Sequence, residues 1–169
     1  MFRKGEDPMT DVEMLADLGA LPQIVKRLFE AVARRDQVAL LEAYHPDIAI
    51  HEAASLPYGG DYHGHEGAIA HVQAFYRTWE GLKPRELIEE AWREHPPVFL
   101  ATTQDYVVVL GRNTAVAPQS GRKLDLPEVW VFKMREGKIA ESWMLNQDTV
   151  AILDFLKEAQ KSIFAQNQN

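Results

Sequence analysis

The sequence predicts an α+β domain in which a few helices cover one face of a curved mixed sheet and leave a pocket at its wide end. Two changes of period carry that reading. Up to Pro84 the apolar residues recur at helical spacing; beyond it they alternate as in strands, and after Asp148 helical spacing returns. Helices followed by a run of strands is the layered α+β arrangement, with the helices on one face of the sheet. A cone of long twisted strands leaves its wide end open, and such mouths are where small ligands bind.

The elements follow in order. Leu21, Ile24, Val25, Leu28, Phe29 and Val32 predict a first amphipathic helix, with Pro22 tolerated in its first turn. Asp36 caps a short second helix whose Val38, Leu41 and Tyr44 share a face, and His45-Pro46 ends it. Ile48 to Ala54 reads as a strand. The segment from Leu56 to Gly64 is rich in turn residues and aromatics and reads as a shaped loop. A third helix presents Ile69, Val72, Phe75, Tyr76 and Trp79 on one side and stops at Gly81 and Pro84. Strands are expected at Glu86 to Trp92, Tyr106 to Ala117, Lys123 to Met134 and Lys138 to Asn146, with glycine-bearing reversals around Gly121 and Gly137. Pro96-Pro97 interrupts this run without a defined path. Asp148 caps a closing helix striped by Ile152, Phe155, Leu156, Ala159 and Ile163. The chain divides into a tail at 1–18, a single domain at 19–164 and a tail at 165–169.

Composition narrows the function. With 46% hydrophobic and 25% charged residues the chain is globular in type, and a chain of this length buries roughly 70% of its unfolded surface, so no structural metal or disulfide is required. The absence of cysteine excludes thiolate zinc sites and cysteine nucleophiles and agrees with a cytoplasmic setting. A net charge of -7 without a basic stripe argues against a nucleic-acid partner, and no segment has the apolar length of a membrane span.

Candidate chemistry starts at Glu52, which shares a strand face with Ile48 and Ile50. A carboxylate on an apolar face is desolvated, and desolvation moves its pKa toward the range useful for proton abstraction; the competing reading is a salt-bridged glutamate at a strand end. Glu128 shares its face with Trp130, Phe132 and Met134, so it is either a second acid in the pocket or the partner of Arg112 or Lys123 across the hairpin. His51 points to the opposite side of its strand from Glu52 yet titrates near neutrality, which suits a proton shuttle. Tyr58, Trp130, Trp143 and Asn146 are the candidate ligand contacts, flat apolar surfaces with polar tips near the expected mouth. His63 and His65 sit in a turn-rich loop, where exposed histidines are common; no metal site and no cofactor are expected.

Several local patterns strengthen this picture: Tyr44-His45-Pro46-Asp47 before the first strand, Gly60-x-Tyr62-x-Gly64-x-Glu66-Gly67, Val129-Trp130-Val131-Phe132, and Gly137-Lys138-Ile139-Ala140-Glu141-Ser142-Trp143. Together with the element order they resemble the nuclear-transport-factor-2-like superfamily, in its SnoaL-like and ketosteroid-isomerase-like branches, across residues 20 to 158. The resemblance implies a cystatin-like α+β roll and pairing of two copies through the exposed sheet face. It also implies that Glu52 stands where ketosteroid isomerases place their general base, and Glu128 where they place a protonated aspartic acid that donates to an oxyanion. Two departures matter. The oxyanion-binding tyrosine of those isomerases is replaced by Leu28, which makes steroid isomerisation unlike this chain, and Met144 follows Trp143 where SnoaL-like cyclases carry an acid. The expected function is cofactor-independent acid/base proton transfer of the isomerase, dehydratase or cyclase type on a small apolar or aromatic molecule. A non-catalytic binding or assembly module of the same fold is the alternative.

Overall fold

Helix α1 (Ala20–Arg34) buries Val25, Leu28 and Ala31 along one stripe, with Pro22 enclosed in its first turn, where its missing N–H costs nothing. The structure is a computed structural model that describes residues 20–166 apart from Gln104; the expected tail at 1–18 lies outside the described residues, as does 167–169 of the expected tail at 165–169, whose first two residues belong to the closing helix. Asp36 caps α2 (Gln37–Ala43) by accepting from the Ala39 N–H at 3.0 Å. Its inward residues are Leu40 and Ala43 rather than the expected Val38 face; Val38 is exposed, because the short helix is rolled to continue directly into a strand.

That strand, β1 (Tyr44–Glu52), begins four residues before the expected Ile48. Pro46 is accommodated because the pairing register shifts between Tyr44 and Ala49, so the ladder asks for no N–H there. The loop expected at Leu56 to Gly64 ends instead in a short edge strand, β2 (Gly60–His63), antiparallel to β1. Helix α3 (Gly64–Thr78) packs back onto β1, burying Ala68, His71 and Val72, and Gly81 at φ 72° turns the chain away from it.

The strand expected at Glu86 to Trp92 is a helix, α4 (Arg85–Glu94), with Pro84 at its N-cap. Leu87, Ala91 and Trp92 recur at helical spacing, and Trp92 docks on Phe29 of α1 with ring centroids 6.3 Å apart. Pro96-Pro97 leads into the short strand β3 (Val98–Thr102), which supplies the path the sequence left open. Strands β4 (Tyr106–Val116), β5 (Lys123–Arg135) and β6 (Lys138–Asn146) form the expected antiparallel meander. The β5–β6 reversal is a two-residue turn with Glu136 at φ 54° and Gly137 at φ 70°, the left-handed pair that matches strand twist. The closing helix α5 (Thr149–Gln166) is longer than expected, and Asp148 caps it by accepting from the Ala151 N–H at 2.9 Å.

The strands make one curved sheet in the order β2-β1-β6-β5-β4-β3, antiparallel except for the parallel β1–β6 pair. Two apolar clusters fill it. One packs α1, α2 and α3 on the inner faces of β1, β4 and β5; the other joins Leu56, Tyr58 and Trp79 to Ile152, Phe155 and Leu156 of α5, closing one end. The helices cover only part of the concave face, and a cavity is left between them.

Candidate functional site

That cavity has a volume of about 450 Å³ and a mostly apolar wall in which Phe29, Val72, Phe75 and Trp130 are prominent. Glu52 and Glu128 both line it. Strand alternation puts them there: Glu52 follows Ile48 and Ile50 on the inner face of β1, and Glu128 precedes Trp130 and Phe132 on the inner face of β5. Between them lies β6, where Met144 pairs with Glu52 on one side and Asn146 with Glu128 on the other.

The polar groups form one directed chain. Lys83 Nζ donates to Asn113 Oδ1 at 2.6 Å, Asn113 Nδ2 donates to Asn146 Oδ1 at 3.3 Å, and Asn146 Nδ2 donates to Glu52 Oε1 at 3.1 Å. Every link therefore points from an ammonium toward a carboxylate, so the amide dipoles reinforce one another in a low-dielectric wall. The other oxygen of Glu52, Oε2, lies 3.6 Å from His71 Nε2, which has no hydrogen-bond partner among the described residues. The Glu52 side chain is 1% exposed.

Glu128 is half-buried and faces the cavity. Burial pushes its carboxyl up to about 7; the Lys83 charge opposes the shift and the Glu52 charge adds to it. Burial lowers the Lys83 amine to about 8 against the pull of Glu128. Tyr58 is raised above its ordinary range by burial and by the two carboxylates, so its hydroxyl stays protonated.

Glu52 and Glu128 thus share one cavity. Arg112 bonds Asp125 at 2.5 Å, which leaves Lys83 as the cation that acts on Glu128. Trp130 lines the cavity, with its ring 5.0 Å from Phe29 and its Cζ3 and Cη2 atoms against Gly111. Asn146 acts one layer back as the link that holds Glu52. Tyr58 is enclosed in the second cluster, edge-on to Phe75. His51 and Trp143 are not brought to this site. They stack at 5.4 Å on the outer face, where His51 bonds Asp61 at 2.6 Å and Glu141 at 3.1 Å, and both carboxylates raise its pKa against its partial burial. Among the described residues no cluster of three or more His, Asp or Glu is placed to hold a metal ion.

Sequence reasoning passed over Lys83, Asn113 and, for this role, His71. Asn113 was findable, since it interrupts the inward row Val107, Val109, Gly111, Ala115 on β4. His71 lies on the buried face of α3 beside Val72. Lys83 sits in an aperiodic turn and carries no such signal.

Gly111 sets the shape of the cavity wall. A Cβ there would overlap Cζ3 and Cη2 of Trp130. Gly111→Ala is expected to destabilise the fold by about 1–3 kcal/mol by displacing that ring, measured as a lower urea midpoint with an unchanged slope.

A curved sheet enclosing an apolar cavity with two acids on its wall defines an α+β pocket protein. The SnoaL-like domain family matches residues 25–142, and the chain belongs to that family, within the nuclear-transport-factor-2-like superfamily. Solved structures agree in fold. TerC, crystallised with polyporic acid, is 20% identical over 82% of this chain and 99% of its own, with a TM-score of 0.66. An NTF2-like protein of unknown function from Burkholderia pseudomallei is 24% identical over 82% of this chain and 98% of its own, TM-score 0.61. IdmH, a candidate polyketide cyclase from Streptomyces antibioticus, is 17% identical over 79% of this chain and 96% of its own, TM-score 0.60. No curated protein matches by sequence. No helix among the described residues is long and apolar enough to cross a membrane.

Proposed function

We propose that the chain is a cofactor-independent enzyme that moves a proton on a small apolar or aromatic carbonyl compound, in an isomerase, dehydratase or cyclase type of reaction. The observation that carries this is the Glu52 side chain, 1% exposed on the cavity wall, with one oxygen fixed by Asn146 and the other turned to His71. A positioned, desolvated carboxylate is a proton acceptor. Glu128, protonated for part of the time near neutrality, is the group able to donate a hydrogen bond to the oxygen on which charge develops. The two identical side chains are driven to different roles by different surroundings. The binding of polyporic acid by TerC and the assignment of IdmH support an oxygenated aromatic substrate. The test is α-proton exchange in deuterium oxide, followed by NMR, over a panel of aryl ketones and hydroxyquinones. Exchange accelerated by the protein supports the reading; tight binding without exchange favours a ligand-binding module.

We further propose a second copy of the chain as the macromolecular partner. Val98, Leu110, Val129 and Leu145 pair successively across β3, β4, β5 and β6 on the outer face, and Val98, Leu110 and Leu145 are exposed there. An apolar row crossing four strands is the kind of surface that pairing covers. Leu110→Asp with Leu145→Asp is expected to halve the mass seen by light scattering; a wild-type monomer would refute the pairing.

A further inference from the structure

We propose that Lys83 is an amine nucleophile, and that the cavity takes an aromatic aldehyde or ketone as an imine on its Nζ. This goes beyond the proton-transfer reading and does not depend on it.

The geometry of the amine is that of a reactive group. Lys83 follows the Gly81 turn and its side chain enters the cavity wall rather than solvent. Its hydrogen-bond acceptor is a neutral amide oxygen, Asn113 Oδ1 at 2.6 Å, and no carboxylate lies within ion-pair distance of it among the described residues. The ring of Trp79 lies 4.5 Å from Nζ and that of Phe75 5.8 Å; these faces attract the ammonium, but they stand where an exposed lysine has water. An amine so placed loses hydration that an exposed lysine keeps, which shifts it toward the neutral, nucleophilic form. The charged groups facing it are Glu128 on β5 and, through the two amides, Glu52 on β1. Burial outweighs the Glu128 charge, and the amine is lowered to about 8. The same apolar rings that desolvate it form a bed for an aryl group.

The step balances without any further reagent. The ammonium first releases a proton to buffer; the Nζ lone pair then forms a bond to the carbonyl carbon while the carbonyl π pair moves to oxygen, which takes up a proton. Nζ gives up one proton to reach the neutral carbinolamine; the hydroxyl takes up a second proton and leaves as water while the Nζ lone pair forms the C=N bond, and the last Nζ proton returns to buffer. Sodium cyanoborohydride added in the experiment supplies the hydride that reduces C=N to a secondary amine and makes the bond permanent.

The experiment treats the full chain with 2-naphthaldehyde and cyanoborohydride, and maps the adducts by peptide mass spectrometry. Lys26, Lys123, Lys133 and Lys157, all exposed, are the internal standards. At about pH 8, labelling of Lys83 is expected to be about tenfold or more faster than at these four, because an ordinary lysine is almost wholly protonated there, and its rate should saturate with aldehyde concentration. Asn113→Asp, which sets an anion against Nζ, is expected to slow labelling of Lys83 alone by several-fold. Lys83→Arg, which keeps the charge, should abolish the fast adduct while circular dichroism shows the fold unchanged. Labelling of Lys83 no faster than the exposed lysines, or unaltered by Asn113→Asp in a folded protein, would overturn the proposal.

Discussion

Glu52→Gln is expected to lower proton exchange on an accepted carbonyl substrate by about 10²–10⁴-fold, the usual contribution of a positioned general base, while leaving the thermal midpoint close to that of the wild type. The structural reason for the second half lies in the bonds the residue makes. Asn146 Nδ2 donates to Glu52 Oε1, and a glutamine oxygen still accepts there, though without a carboxylate's charge, so the amide chain back to Lys83 keeps its partners. What is lost is the basic lone pair. Glu52→Ala is a different experiment: it leaves the half-buried Asn146 amide without its acceptor and is expected to cost about 1–3 kcal/mol of stability. The comparison of the two variants separates chemistry from packing. Full exchange activity in folded Glu52→Gln eliminates Glu52 as the base, whatever the binding data show.

The second large effect is on stability against pH, and Glu128 and Lys83 produce it with opposite signs. Glu128 is raised from 4.5 to about 7, so the folded chain holds its proton more tightly than the unfolded chain. Its stabilising contribution is complete below about pH 4.5 and is lost as pH rises through about 7. Lys83 is lowered from 10.5 to about 8. Its contribution is complete above about pH 10.5 and is lost as pH falls through about 8. Between these windows both groups are charged and both costs are present, relieved only by their mutual attraction. Relative to Glu128→Gln, the wild type should therefore lose about 1–3 kcal/mol from acid to neutral pH, a figure discounted for the water that reaches the cavity. Relative to Lys83→Met it should regain a similar amount, about 1–3 kcal/mol, toward alkaline pH. Urea unfolding of the wild type, both single variants and the double variant reads this directly. Wild-type and Glu128→Gln curves that run parallel across the acid limb would refute the burial of Glu128.

Much of the architecture was legible because period and burial are local consequences of side-chain type. The stripes of α1 and α3, the caps at Asp36 and Asp148 and the β5–β6 turn follow from residues within a few positions of each other. Where the reading failed, a short element was decided by its neighbours. The segment Glu86 to Trp92 was expected as a strand because it opens the extended half of the chain, but its Leu87–Ala91 and Ile88–Trp92 pairs stand four apart, and as a helix it docks Trp92 on Phe29. Gly60 to His63 is too turn-rich to predict as a strand, and becomes one because the exposed edge of β1 offers it a hydrogen-bonding partner.

The site divides in the same way. Alternation alone determined that Glu52 and Glu128 face inward among apolar residues, and that His51 does not share Glu52's side of β1, since successive residues of a strand must point to opposite faces. That the two acids meet in one cavity was decided by the tertiary structure, through the strand order that sets β1 and β5 on either side of β6. So was the whole chain from Lys83 through Asn113 and Asn146 to Glu52. Its members are 30, 33 and 94 residues apart in sequence, and no periodic signal relates positions separated by different strands and turns. Local spacing specifies which way a side chain points; only the closed sheet specifies what it meets.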